Sequence, residues 1–421
     1  MKHDGEPIDP RLSLAIDNCF ASKRWTRPQD WMSVVQSLGL QLVEASADTE
    51  CDPLYMGPDY MRDWIDDVKR NSEHFGVRVV NLYSGHGTYS TLGLAHTDRR
   101  VRERFREQWV KAQVDVAAAL GAGLGFFAHA INDGVLQRPA EYGEAIATLE
   151  GDLAEVARYA QNRELPAVSL EQMYSPHQPP WTIDGATSLL QRVFALGKAP
   201  LYLTIDLGHM NGQQYFQRPS EEMILQWIAS RQAGKPCKGI WLGPASARSI
   251  IDRAAAGELD IHEAVSRIEA CMEDYEYLFA SSRDGSVHEW LSALGCYSPI
   301  IHLQQSDGKG SPHWPFSSEY NEKGIIKGEA VLLDLAHAYQ LQMTDEPTER
   351  RITTDATDPI EGLPPFCDQI IFTLEPFIGT SGNVYDSLEE LSESVAYWRE
   401  FIPYDGIRLS EALNSSARRT S

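Results

Sequence analysis

The sequence predicts a (β/α)8 barrel. Three observations point to it: eight short apolar runs, amphipathic helical segments between them, and polar residues at the C-terminal ends of the later runs. The runs are LSLAI (12–16), LQLVEA (40–45), VRVVNLY (77–83), GFFAHA (125–130), PAVSLEQM (166–173), LYLTIDLGHM (201–210), SPIIHLQQ (298–305) and QIIFTLEPF (369–377). Runs of this length, bounded by glycine, proline and polar residues, suit strands buried on both faces. An open, doubly wound sheet is the second reading. No GxGxxG follows the first run, so its dinucleotide-binding form lacks support.

The intervening segments carry helical periodicity. In RVRERFREQWVKAQVDVAAALGAG, residues Val101, Phe105, Trp109, Val110 and Val114 recur at three- and four-residue spacing, and ALGAG is a glycine stop. YGEAIATLEGDLAEVARYAQNREL and DGATSLLQRVFALGK read the same way. One interval breaks the rhythm. About 85 residues separate the sixth run from the seventh, where a loop and helix need roughly 25. The excess holds EEMILQWIASRQAG and DIHEAVSRIEACMEDYEYLF, both helical in pattern. The expectation is one domain over 1–421, with a helical insertion at about 211–297 that covers the barrel mouth or builds a subunit contact. The tail from about 412 to 421, ending NSSARRTS, is expected to be disordered.

Composition bounds the function. The 421 residues are 43% hydrophobic, which permits a sizeable core, and the formal net charge is -23. No long basic run is present, which argues against nucleic acid. Cys19, Cys51, Cys237, Cys271, Cys296 and Cys367 are scattered with no CxxC pair and read as reduced thiols. The N-terminus lacks an apolar signal core, and no apolar stretch is long enough for a membrane helix. A soluble, cytoplasmic protein with no membrane partner is expected.

Barrel enzymes put their chemistry at the C-terminal ends of strands. The fifth run offers Glu171 (SLEQM), the sixth Asp206 (TIDLGH), the seventh His302 (IIHLQQ) and the eighth Glu375 (FTLEPF). Any one of them alone is more often a cap or a satisfied polar group. Four at matched depths on successive strands are harder to dismiss. Three carboxylates in one desolvated site repel unless a cation neutralises them. Oxygen ligands plus one histidine suit Mn²⁺ or Mg²⁺, with Co²⁺ also admissible. His209, three residues past Asp206, is a candidate to orient a ligand or touch a substrate oxygen. His313 lies in the loop QQSDGKGSPHWPF, with Asp307 reading as a turn residue before Gly308.

These motifs, SLEQ, DLGH, IHLQQSDG and TLEPF, together resemble the xylose isomerase-like superfamily of sugar and sugar-phosphate isomerases and epimerases. The resemblance spans roughly residues 12 to 405, apart from the insertion. It implies a divalent metal held by Glu171, Asp206, His302 and Glu375. It also implies that the two glutamates act as the acid/base pair and that His209 meets a substrate oxygen, as in the tagatose 3-epimerase-like members. There are departures. Those members carry a further glutamate after the fifth-strand ligand, where this chain has His177 in EQMYSPHQPPW. They also carry an arginine in the seventh loop, where this chain offers Lys309. EQMYSPHQPPWTI is similar to isomerases or epimerases of tetrulose phosphates.

The expected chemistry is metal-dependent isomerisation or epimerisation of a short ketose or ketose phosphate through a metal-stabilised enediolate. A substrate phosphate needs cationic donors. FASKRWTR, after the first run, offers Lys23, Arg24 and Arg27, and the seventh loop offers Lys309. Trp25, Trp181 and Trp314 lie in mouth-side loops and either stack on a polyol or simply pack. Asn18, Glu44, His86 and His129 lie near the ends of earlier strands. His86, between glycines in YSGHGTYS, is the best substrate contact of these. The alternative is a lyase or dehydratase using the same metal. A nuclease for damaged DNA and a silent binding protein are weaker readings, against the acidic charge and the intact quartet respectively. The partner is a small sugar or sugar phosphate, and the chain is expected to form a homo-oligomer.

Overall fold

Each of the eight runs becomes a parallel strand, and the eighth pairs with the first to close the barrel. This is a computed structural model, and it describes residues 8–85, 91–236, 238–343, 352–354, 362–379 and 381–417. The barrel strands, in order, are Arg11–Asp17, Leu42–Ser46, Arg78–Tyr83, Gly123–Phe126, Val168–Glu171, Tyr202–Asp206, Ile300–Leu303 and Gln369–Leu374. Each pairs with its sequence neighbours in parallel, and Leu12 to Ile16 run in register with Ile370 to Leu374 across the closure. The second, fourth, fifth and seventh strands are buried at every residue. Helices on the outside account for that burial, as parallel sheets require.

The fourth strand differs from the sequence reading. It spans Gly123–Phe126 and ends before the AHA of GFFAHA. His129 therefore lies three residues beyond the strand, in the mouth-side loop. Outside the barrel, the RVRERF segment forms one rod over 99–120 with a π-helical turn at Arg106–Val110. The YGEAIA and DGATSLL segments lie in helices Pro139–Asn162 and Ile183–Gly197.

The long interval after the sixth strand carries three extra helices, Glu221–Gln232, Ala245–Ala255 and Ile261–Asp274. They share a small core of their own, built around Ile224, Ile228, Ile251, Ile268 and Met272. Their flanks brace mouth-side loops. Tyr277 and Tyr275 donate hydroxyl hydrogen bonds to the carbonyls of Leu136 (2.7 Å) and Gln137 (3.1 Å), and Tyr215 donates to Lys309 (2.7 Å). The helix Val287–Leu294 belongs to the barrel, packed against Ile183–Gly197 and Gly328–Ala338. The extra stretch is thus shorter than 211–297.

The C-terminus also departs from expectation. Leu409–Ala417 is a helix with Ala412 and Leu413 buried, so apolar contact orders residues 412–417 of the tail expected to be disordered; the rest of it lies outside the described residues. Among the described residues, no helix is long and apolar enough to cross a membrane. Cys19, Cys51, Cys271, Cys296 and Cys367 are free thiols; Cys237 lies outside the described residues.

Candidate metal centre

Four strand ends converge on one point. The fifth and sixth strands end in Glu171 and Asp206, His302 sits next to the end of the seventh, and Glu375 directly follows the eighth. Parallel register aligns them: Asp206 pairs with His302, and His302 with Thr373. One ligand atom from each of Glu171, Asp206, His302 and Glu375 lies within 4.8 Å of the other three, and all four residues are buried. Donors bound to one small divalent ion at about 2.0–2.6 Å must stand this close. Asp206, His209 and His313 form a second such group that shares Asp206.

Charge balance fits the same conclusion. Burial pushes the Glu171 carboxyl above its usual range, against the opposing pull of His209 and His302. Burial would lower the His302 imidazole, but Glu375, Glu44 and Glu171 together hold it well above its ordinary value. Carboxylates that raise an imidazole in this way favour positive charge among them, and a divalent cation would supply it. Three carboxylates and one imidazole, with no thiolate, suit Mn²⁺ or Mg²⁺.

Hydrogen bonds around the quartet fix its side chains. His302 Nδ1 lies 3.1 Å from Glu171 Oε1 and 3.3 Å from Glu375 Oε2, while its Nε2 lies 2.9 Å from Glu44 Oε2. The other oxygen of Glu44 accepts from Asn81 Nδ2 at 2.5 Å. Tyr83 donates its hydroxyl to Glu171 Oε2 and sets its ring edge-on to His302, 4.9 Å between centroids. Asp206 Oδ1 accepts the backbone N–H groups of Gly208 (2.6 Å) and His209 (3.0 Å), and Gln304 Nε2 donates to both Asp206 oxygens. A Cβ on Gly208 would collide with the Gln304 amide, which is why DLGH needs its glycine. Asp17, at the end of the first strand, is fully buried. Burial, then Glu44 and Glu375, hold its carboxyl well above the usual range.

The structure sorts the remaining candidates. His209 is at the site, 3.9 Å from both Glu171 Oε1 and Asp206 Oδ2, with Nδ1 2.8 Å from the Gln172 carbonyl oxygen. His313 is also there, Nδ1 3.4 Å from Glu375 Oε2. Burial lowers its pKa, but Glu375 outweighs this and lifts it to about 9. His177 is not at the quartet; it lines a neighbouring cavity. Lys309 is exposed and pairs with Asp307 at 2.9 Å, so it does not reach the site. Arg24 spends its guanidinium on the carbonyls of Gly379 (2.9 Å) and Gly382 (3.1 Å), tying the first loop to the last; Lys23 on that loop is exposed. His86 lies outside the described residues. Trp181 and Trp314 serve packing, against Phe216 and Tyr320.

Sequence reading gave Glu44 no role and passed over Asp17, Tyr83 and Gln304. Asp17 carried a signal, since it ends the first barrel strand, and Glu44 is a lone acid inside the apolar second strand. Gln304 follows His302 by two residues within IHLQQ.

Residues 32–239 match the family model described as xylose isomerase-like TIM barrel. That match takes in Glu171, Asp206 and His209 and ends before His302 and Glu375. No curated protein matches the chain in sequence. Among solved structures, the chain is similar to a Rhodospirillum rubrum protein provisionally named a xylose isomerase. The two share 19% identity at a TM-score of 0.62, over 92% of this chain and 98% of that one. Weaker likenesses include an L-ribulose 3-epimerase (14% identity, TM-score 0.48, 97% of both chains). Another is a D-psicose 3-epimerase from Clostridium cellulolyticum H10 solved with D-tagatose (12%, TM-score 0.46, 97% of this chain and 96% of that one). With its eight parallel strands closed, the chain is a TIM barrel, and its residues 32–239 match the xylose isomerase-like family model.

Proposed function

We propose that the protein is a divalent-metal-dependent isomerase or epimerase of a short ketose or ketose phosphate. The observation that carries this reading is the buried quartet of Glu171, Asp206, His302 and Glu375, with ligand atoms within 4.8 Å of one another at the barrel mouth. The names of the similar solved structures agree with it. Glu171, Asp206, His302 and Glu375 hold the ion, Mn²⁺ or Mg²⁺ by donor chemistry, with Co²⁺ also compatible. When bound, it supplies a Lewis acid that polarises a ketose carbonyl.

The chain's own residues do the rest. Glu171 and Glu375 are the bases for the proton on the carbon beside the carbonyl. No lysine or cysteine stands at the late strand ends to compete for that duty. Tyr83 holds one oxygen of Glu171, which fixes the direction of the other. His209 offers Nε2 to a substrate oxygen, because its Nδ1 donates to the Gln172 carbonyl. Return of the proton to the same carbon from the opposite face is epimerisation; return to the neighbouring carbon is isomerisation.

The test is solvent deuterium incorporation into a panel of ketoses with added Mn²⁺. Incorporation at the carbon beside the carbonyl, abolished by chelation, is the expected result. Loss of water from the sugar, without exchange, would move the reading to a lyase.

A further inference from the structure

Beside the quartet, a second cavity opens on the mouth side of the barrel. It has a volume of about 330 Å³ and is walled by Thr91, Thr97, Asn132, His177 and Gln178, among others. Three mouth loops meet there, those after the third, fourth and fifth strands. The loops are locked to one another. Ala95 N–H donates to the Ala128 carbonyl at 2.9 Å, and a Cβ on Gly93 would collide with the His129 carbonyl oxygen. His177 clasps Ile131 twice: its Nδ1 donates to the Ile131 carbonyl at 2.8 Å, and its own carbonyl accepts the Ile131 N–H at 2.9 Å.

That clasp sets the chemistry of the wall. With the hydrogen on Nδ1, the neutral His177 ring leaves Nε2 as an acceptor. Between cavity and quartet stands His129, only 4% exposed. Its Nε2 is 3.5 Å from the amide Nε2 of Gln178, a cavity-wall residue. The amide nitrogen can only donate, so His129 Nε2 accepts and Nδ1 carries the hydrogen. That buried Nδ1 has no hydrogen-bond partner. A buried donor left unpaired costs stability, which an acceptor oxygen on a ligand would restore. Burial, then the neighbouring His209, hold the His129 pKa down at about 4, so the ring is neutral at neutral pH. Among the described wall residues there is no lysine or arginine.

We infer that this cavity binds the uncharged, hydroxyl-bearing end of the substrate, with His129, His177 and Gln178 as its polar contacts, and that the enzyme prefers free ketoses to their terminal phosphate esters. A hydroxyl can give its hydrogen to His177 Nε2 and receive one from His129 or Gln178. A phosphate dianion has no hydrogen for Nε2 and meets no lysine or arginine among the described wall residues, whose other histidine, His96, accepts the Asp98 N–H at Nδ1 (3.0 Å), so burying it is costly.

The inference rests on the isomerase reading, and the experiment separates the two. Deuterium exchange is measured on matched pairs of a ketose and its terminal phosphate. The free ketose should be favoured by at least about tenfold in kcat/KM, equivalent to one unpaired charged hydrogen bond. His129→Leu should raise KM for the free ketose with less effect on kcat. His177→Lys, or Thr91→Lys at an exposed wall position that leaves the His177 clasp intact, should narrow the preference. Phosphate esters exchanging as fast as free ketoses, or faster, would overturn the inference and leave the isomerase reading standing. If neither class exchanges, the isomerase reading falls and ligand-detected NMR decides the cavity. Binding of free ketose that weakens in His129→Leu supports it; no binding, or tighter binding of the phosphate, overturns it.

Discussion

The two halves of the barrel mouth use the same residue types for different ends. Strands five to eight contribute Glu171, Asp206, His302 and Glu375, whose ligand atoms crowd within 4.8 Å. Strands one to three also carry buried polar groups, Asp17, Glu44 and Tyr83, and of these Glu44 meets His302 and Tyr83 meets Glu171. Glu44 shows the difference most clearly. One of its oxygens is held by Asn81 and the other by His302 Nε2, so both already have protein partners. Depth and residue type therefore do not decide a role; the partners do. A metal-bound histidine commonly relies on such a carboxylate at its other nitrogen.

The comparison can be broken by exchanging roles across the mouth. The largest effect is expected on the late side. Glu375→Gln should retain part of the metal affinity while turnover falls by roughly 10²–10⁴-fold, the usual worth of a general base. Deuterium exchange at the carbon beside the carbonyl should fall in parallel. Exchange at the wild-type rate would remove Glu375 as a base and leave Glu171 or a histidine to act alone.

On the early side, Glu44→Gln should weaken metal binding by about 10–100-fold, the typical cost of losing an outer partner. The protein should still fold, because glutamine can keep the Asn81 contact. Calorimetric titration with Mn²⁺ measures this. Affinity unchanged from wild type would mean that Glu44 does not orient His302.

The pH dependence of metal binding sharpens the same distinction. The surrounding carboxylates raise the His302 pKa, so its proton must leave when the nitrogen takes a metal. Affinity should therefore rise with pH through the neutral range, by up to about tenfold per pH unit for one released proton. A pH-independent affinity would argue that His302 is not a ligand. The smallest effect is expected for Tyr83→Phe, which removes the hydrogen bond to Glu171 but keeps the ring against His302. A net loss of about 1 kcal/mol, or severalfold in kcat/KM, is the expected size.

The convergence of the late quartet was legible in the sequence because each of its residues sits near the end of an apolar run, and parallel strands put such ends at one level. The early half was not. Nothing in LVEAS says that Glu44 meets a histidine 258 residues away. GFFAHA set His129 near a strand end, yet the strand stops three residues earlier at Phe126, because apolar periodicity cannot say where an apolar run leaves the sheet. Cations misled for a related reason. Arg24 and Lys309 are near the mouth in sequence, but backbone carbonyls and Asp307 claim them. The extra helices were legible as amphipathic segments, while their contacts with Leu136 and Gln137 were not.

The central claim is that the four late-strand side chains hold one divalent ion. Elemental analysis of purified wild type and Asp206→Asn, each loaded with Mn²⁺ and desalted, tests it most directly. Asp206 contributes a carboxylate oxygen to the quartet, and asparagine keeps the shape while removing the charge. The account predicts about one metal per wild-type chain and a clear loss in Asp206→Asn, together with loss of activity. Undiminished metal in Asp206→Asn would contradict it.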